Sequence, residues 1–302
     1  MIRLGLVCQF KKEPIKFRVI TYRYLKNFGK KEQLNKISFI ILENINSLYK
    51  SIEYCSKNKI GCFRITSKIF PLKTHPEVGY KIENLPEAEK IMASFKKCRE
   101  LAKKNNIRLT FHPDQFVVLN SPNKEIVKRS IAELEYQSEV ADIIGADVIN
   151  IHAGGGYGNK KESLKRLASV IKGLDKRIVN KLTLENDDMA YSPQELLDFC
   201  LKHKIPFVYD VAHHRCLKDN LTIKDATNFA LKTWNREPLF HLSSIKKDIG
   251  KNSCFHSDYI NINDFPREWE DINITIEIEA KAKEIAIKRL IRDINKSRNI
   301  KI

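Results

Sequence analysis

The chain has 302 residues, 42% hydrophobic and 30% charged, enough to bury a sizeable core as one large α/β barrel or as two ordinary domains. Against 37 Asp and Glu stand 54 Lys and Arg, a formal charge of +17, which favours an anionic partner and nucleic acid first, since a distributed positive field binds phosphates without reading bases. Lys, Ile and Asn are abundant throughout, so genomic composition is the bland account of the same charge. No uninterrupted apolar run is long enough to span a bilayer, and no cleavable signal pattern opens the chain. The seven cysteines form neither a close pair nor a dense disulfide framework, which suits a soluble protein of the reducing cytoplasm.

"IRLGL", Ile2 to Leu6, reads as a first core strand, and Gln9 to Lys36 as a polar connection with some helix or loop. Leu34 to Lys59 carries apolar residues at three- and four-residue intervals, as an amphipathic helix would. "GCFRIT", Gly61 to Thr66, is a second strand, followed by a loop rich in proline and glycine. Glu87 to Lys104 predicts a helix, "IRLTF" from Ile107 to Phe111 a third strand, and Lys124 to Ile144 a helix that Gly145 terminates. Further strands are expected at Asp147 to Ile151, Lys181 to Glu185, Pro206 to Asp210, Pro238 to Leu242 and Ile274 to Glu279. Helices are expected between most of them, at Ser163 to Leu174, Pro193 to His203 and Asp225 to Leu231. Eight strands repeatedly followed by helices predict a single (β/α)8 TIM barrel over residues 1–302, with a C-terminal helix and tail from about 281. In that tail Ile287, Leu290, Ile291 and Ile294 fall at helical spacing, as in a barrel-closing helix with a basic solvent face.

Polar residues collect where the apolar runs stop: His112, His152, Glu185, Asp210, His241 and Glu279 each stand at a strand exit. One such histidine is more often structural, but strand ends converge on one rim of a TIM barrel, so six endings point to a shared metal-binding, catalytic face. Imidazoles and carboxylates hold divalent Zn or Mn, and a close cluster can activate water and neutralise charge developing on a phosphate. His213, three residues after Asp210, and His256 extend the candidate ligands to eight. His214 is as readily structural as a ligand. Glu185 is favoured over Asp187 and Asp188, which could shape a loop or cap a helix; Glu279 is favoured over Glu277, although alternation could put both on one face.

"HAGGGYGNK", His152 to Lys160, lacks the spacing of a phosphate-binding P-loop, and its glycines more simply allow a tight turn. Tyr157 and Lys160 in this run could approach DNA, against the ordinary reading of solvated side chains. His75, in "THPEVGY", offers itself to a substrate or metal shell in the same way.

The ordered motifs "LTFHPDQFVVLNSP", "HAGGGYGNK", "LEND", "DVAHH", "HSDYI" and "IEAKAKE" together resemble the UV damage endonuclease family, over nearly the whole chain. Endonuclease-IV-type apurinic endonucleases share the broad metal-dependent barrel design and are less similar. The resemblance implies hydrolysis of DNA 5′ to UV photoproducts, with abasic or other distorted sites as further substrates. It implies up to three ions, Mn2+ first, with Zn2+ and Mg2+ as alternatives. His112, His152 and Glu185 would form one metal group and Glu185, Asp210, His241 and Glu279 another, while His213 and His256 would help hold a third. It also implies that Gln115 and Phe116 probe distorted duplex DNA, where a lesion has already lost part of the stacking energy that insertion costs. The partner expected is damaged double-stranded DNA, with no membrane and no obligate protein partner, and the protein a monomer.

Four positions depart from the family pattern, one of them Phe116, which stands where a Tyr usually follows the probing Gln. Leu6 and Phe10 stand where a Tyr and a DNA-probing Asn are usual, and Leu239 stands where a lysine precedes the seventh-strand histidine. These put the UV-photoproduct range and the third metal site in question. The competing readings are an abasic-site endonuclease without efficient UV-photoproduct recognition, a noncatalytic damaged-DNA-binding protein, and a metal-dependent sugar isomerase of similar architecture.

Overall fold

In the computed structural model, which describes residues 1–246 and 254–297, all eight expected strands form. They are β1 (Ile2–Val7), β2 (Cys62–Ile65), β3 (Arg108–Phe111), β4 (Val148–His152), β5 (Leu182–Glu185), β6 (Phe207–Asp210), β7 (Leu239–Leu242) and β8 (Ile274–Ile278). Each pairs in parallel with its neighbours in chain order, and β1 against β8 closes the barrel. The helices are α1 (Tyr22–Leu25), α2 (Lys30–Lys57), α3 (Ala88–Lys104), α4 (Lys124–Ile144), α5 (Lys160–Lys172), α6 (Lys176–Val179), α7 (Pro193–His203), α8 (Val211–Cys216), α9 (Ile223–Lys232) and α10 (Glu284–Ser297).

Local chemistry sets several boundaries. Asn123 caps α4 by accepting from the Glu125 amide, and Gly145, at φ 80°, ends it in the left-handed region that glycine enters without strain. Ser192 and Glu195 close a capping box around α7, whose first residue is Pro193. The short helices α6 and α8 carry no readable period and are absent from the sequence expectation, while α1 lies within the connection from Gln9 to Lys36 expected to hold some helix or loop. Helix α10 begins at Glu284 and buries Ile287, Leu290 and Ile294; the expected tail from residue 298 lies outside the described residues. No described helix is long and apolar enough to cross a membrane.

Strand alternation divides the barrel into two environments. Ile2, Leu4 and Leu6 of β1, Ile149 and Ile151 of β4, and Ile274, Ile276 and Ile278 of β8 point outward into the main core beneath the helices. The inward face is largely polar, with Gly5, Arg64, Thr110, Asn150, Thr183, Thr275 and Glu277 filling the lumen. Val148, Val208 and Leu239 break that polarity as a separate apolar cluster, with Trp234 packed against it. Leu239, two residues before His241, therefore belongs to a dry plug inside the barrel.

The cysteines include one bonded pair, although no close pair or dense framework shows in their spacing. Cys216, the last residue of α8, is disulfide-bonded to Cys254, with the Cα atoms 6.3 Å apart, while the other five are free. The pair is 38 residues apart in sequence and is brought together by the fold, which spacing alone does not reveal. It ties the helix bearing His213 to the segment bearing His256. Alkylation in denaturant without reductant is expected to label the five free cysteines and, after reduction, all seven. Seven labels under both conditions would show the bond absent.

Candidate metal centre

The rim at the strands' C-terminal ends brings seven of the eight expected ligands into three overlapping groups. These are His112, His152 and Glu185; Glu185, Asp210 and His213; and Asp210, His241 and Glu279, with candidate ligand atoms in each group within 4.8 Å of one another. Glu185 and Asp210 each belong to two groups, which is what carboxylates shared between neighbouring ions would require. The partition differs from the expected one: His213 joins Glu185 and Asp210, and His241 joins Asp210 and Glu279. His256 stands at the edge, its Nδ1 3.6 Å from Glu279 and its ring 6.2 Å from that of His213.

Four of the candidate ligands are held by protein hydrogen bonds. His112 donates through Nδ1 to the Pro113 carbonyl at 3.0 Å and turns Nε2 to Glu185 at 2.9 Å. His213 donates through Nδ1 to the Asn186 carbonyl at 3.0 Å, leaving Nε2 as its ligating nitrogen. Asp210 Oδ1 caps α8 by accepting from the amides of Ala212 and His213 at 2.7 and 2.8 Å. Asn186 braces β5 against β6 with two 2.9 Å bonds to the Asp210 backbone. Asn150 donates to Glu185 at 2.5 Å and accepts from Thr183 at 2.9 Å.

Whether this cluster fits metal ions can be judged from what it leaves unpaired. His152 Nδ1 and Asp210 Oδ2 are buried and have no hydrogen-bond partner, although buried polar atoms are ordinarily satisfied. Both belong to the candidate metal-binding groups, and the donor set of imidazoles and carboxylates suits Mn or Zn. The residues present therefore fit a multinuclear centre.

The electrostatics agree. Burial raises the Glu185 carboxyl, but the charges of His241 and His152 and hydrogen bonds from His112 and His241 outweigh it and hold the group well below the usual carboxylate range. Burial, only partly offset by Glu185, lowers His152 from its ordinary value. Burial opposes charge on His213 too, yet Asp210 and Glu185 prevail and raise it to about 9. His241 rises to about 10, burial being overcome chiefly by Glu185. Both values lie above the unfolded value of about 6.5, so the stability they contribute is complete below that pH and is lost as pH rises through 9 to 10. Melting temperature of the metal-free protein is expected to fall across that window. Ligation needs neutral imidazoles, so Mn2+ uptake near pH 7.5 should release up to about two protons per chain, measurable by titration calorimetry in buffers of different ionisation enthalpy.

Other singled-out residues fall elsewhere. His214 is buried between the Tyr209 hydroxyl at 2.7 Å and Asp219 at 3.0 Å, a structural bridge outside the three groups. Asp187 accepts from the amides of Met189, Ala190 and Tyr191 and shapes its loop. His75 stacks on Tyr22 with ring centroids 4.4 Å apart, and Lys160 is paired with Glu195 at 2.7 Å. Gly154 has φ 85°, and a Cβ there would lie 2.1 Å from Asn120 Oδ1, so the glycine run makes a tight turn. Asp114, Gln115 and Phe116 form an exposed loop tip after β3, with Phe116 77% exposed, and Tyr157 is 48% exposed. Phe10 instead packs inward, edge-on to Tyr54 at 5.1 Å and stacked on Phe63 at 6.2 Å. Arg64, Asn150, Asn186 and Glu277 complete the site and were not singled out as site residues by sequence.

Fold and site together define a metal-dependent α/β-barrel enzyme whose candidate multinuclear centre is consistent with metal-activated hydrolysis. Residues 2–302 match the family of the UV-endonuclease UvdE. The "UV DNA damage endonuclease" of Bacillus cereus strain G9842 is 32% identical over 296 residues, covering 94% of this chain and 91% of that protein. The homologue from Bacillus mycoides strain KBAB4 shows the same identity and coverage. The crystal structure of SacUVDE superposes with a TM-score of 0.87 at 28% identity, over 98% of this chain and 99% of that one. Endonuclease IV from Thermus thermophilus superposes at 0.61 with 15% identity, over 98% of this chain and 100% of that one, a likeness of fold. The chain belongs to the UvdE family and is a DNA damage endonuclease.

Proposed function

We propose that this enzyme hydrolyses the phosphodiester on the 5′ side of UV photoproducts in duplex DNA, and of other distorted or abasic lesions, using up to three Mn2+ ions. The observation that carries the reading is the sharing of Glu185 and Asp210 among three imidazole and carboxylate groups at one rim. Bound there, divalent ions would acidify a water and take up the charge that develops on the phosphate. The chain's own part is to hold that apparatus: Asn150 and Asn186 fix Glu185 and Asp210, while backbone carbonyls fix His112 and His213. His256 stands where it could join the third group. A cavity of about 480 Å³ beside Arg64, His256 and Glu279 is also lined by Lys281 and Lys283, cations suited to a DNA phosphate. No protein nucleophile is required.

Lesion selection falls to Gln115 and Phe116. Their loop is anchored by buried Val117 and Leu119, so an exposed aromatic ring is carried on a fixed base. A cavity of about 600 Å³ lies beside them, also lined by Tyr157 and Arg129, and offers room for a displaced base. The eight strands close into one barrel domain that carries both the candidate centre and this loop.

The inward packing of Phe10 and the full burial of Leu6 favour one second reading, an abasic-site endonuclease with weak recognition of UV photoproducts. Matched duplexes carrying a cyclobutane dimer, a 6-4 photoproduct, an abasic site or no lesion, assayed in defined Mn2+, Zn2+ or Mg2+, separate the two. Incision 5′ to both photoproducts is expected, strongest in Mn2+. Cleavage confined to the abasic duplex selects the second reading, and no cleavage of any duplex rejects both.

A further inference from the structure

Glu277 lies two residues below Glu279 on the inward face of β8, and its carboxylate is buried. It accepts from Arg64 Nε at 2.5 Å and from the Thr110 hydroxyl, and His241 Nε2 stands 3.1 Å away. The barrel makes room for it: a Cβ on Gly5 would lie 3.1 Å from Glu277 Cγ and 3.2 Å from Cys62 Cβ. Glu277 belongs to none of the three ligand groups found among the described residues, and its oxygens are taken up by protein donors.

We infer that Glu277 and Arg64 are a positioning pair that presents His241 and Glu279 to the metal centre, an inference that rests on the metal reading above. The geometry of His241 carries it. Its Nδ1 faces Glu185 at 3.0 Å and Glu279 at 3.6 Å, so this is the nitrogen available for ligation. An imidazole that ligates through Nδ1 keeps its proton on Nε2 and needs an acceptor there, and Glu277 is in reach. Arg64 Nη2 also lies 2.8 Å from Nε2. With that nitrogen protonated, the ring offers the guanidinium no lone pair, and the partner of Nη2 is the Glu277 oxygen with which it forms an ion pair. Arg64 Nη1 bonds Glu279 Oε1 at 2.6 Å, fixing one ligand oxygen while Oε2 faces His256 at 3.6 Å. The guanidinium also cancels the charge of Glu277, so the lumen does not add an uncompensated carboxylate to Glu185, Asp210 and Glu279.

The experiment measures Mn2+ alone, by metal content and by electron paramagnetic resonance of the free ion, on the full chain. It compares wild type, Glu277→Ala, Glu277→Gln and the double variant Arg64→Met with Glu277→Leu. Loss of an orienting group beside a metal ligand typically costs about 10–100-fold in affinity, and that loss is expected for Glu277→Ala. Glu277→Gln keeps an acceptor opposite Nε2 and should recover most of it. The double variant removes both charges of the Arg64–Glu277 pair together, so neither is left buried without the other, and, with the Arg64 contact to Glu279 also lost, should bind Mn2+ at least as weakly as Glu277→Ala. Wild-type affinity and stoichiometry in either folded Glu277→Ala or the double variant overturn the proposal alone. A wild-type protein that binds no Mn2+ overturns the metal reading and the proposal with it.

Discussion

Replacing Glu185 by Ala is expected to reduce cleavage of a lesion-bearing duplex by about a thousandfold or more. Glu185 is common to two of the three ligand groups, so its loss removes a donor from two ions at once. Metal-borne charge stabilisation is worth several kcal/mol, and each ~1.4 kcal/mol is tenfold in rate. The change also removes the acceptor of Asn150 and the carboxylate facing both His112 and His241. The raised affinity of His213 and His241 for protons should fall with it, since Glu185 is among its causes in both. Metal content and single-turnover cleavage are the measurements. Wild-type rates with a full metal complement would remove Glu185 from the centre.

Phe116→Ala and Gln115→Ala should leave folding and metal content unchanged and instead weaken discrimination between damaged and intact duplex. Phe116 is 77% exposed, so truncating it removes almost no buried contact and melting temperature should stay within a degree or so. An aromatic side chain stacked on a base contributes about 1–3 kcal/mol, so its loss predicts a drop of roughly 5–150-fold in kcat/KM on the lesion. Cleavage of an abasic duplex, where a gap already exists, should suffer less. Equal losses on photoproduct, abasic and intact duplexes would show that the loop binds DNA without selecting damage.

The residues that could be read from sequence and those that could not differ by one step along the strand. His112, His152, Glu185, Asp210, His241 and Glu279 are visible because each is the polar residue that stops an apolar run. Asn150 and Glu277 face the same way two positions earlier, where period-two alternation makes a lumen side chain look like an ordinary half-buried strand residue. Glu279 was favoured over Glu277 as the strand exit and falls in a candidate ligand group, while Glu277 faces inward too and is separated from it by depth. Arg64 gives no warning either, because its partners come from β7 and β8, more than 170 residues away. Chain order and the eight-stranded closure were legible because each strand is bounded by turn chemistry. The six-residue helix α8 and the disulfide were not, one lacking a period and the other existing only through tertiary approach. Phe10 sets local packing against family expectation: an apolar ring beside Tyr54 and Phe63 turns inward, whatever a polar residue would do there.

The plug of Val148, Val208 and Leu239 has a consequence for how the rim responds to its substrate. It lines the β4, β6 and β7 side of the lumen below the cluster with apolar side chains, opposite the polar column of Arg108, Thr110, Thr275 and Glu277. Charges beside an apolar wall are screened less than charges in water. An incoming phosphate is then felt before contact, and the basic exterior supplies the long-range attraction that brings it there. Leu239→Lys would bury a charge among Val148, Val208 and Trp234, and a fall in melting temperature is its expected first effect.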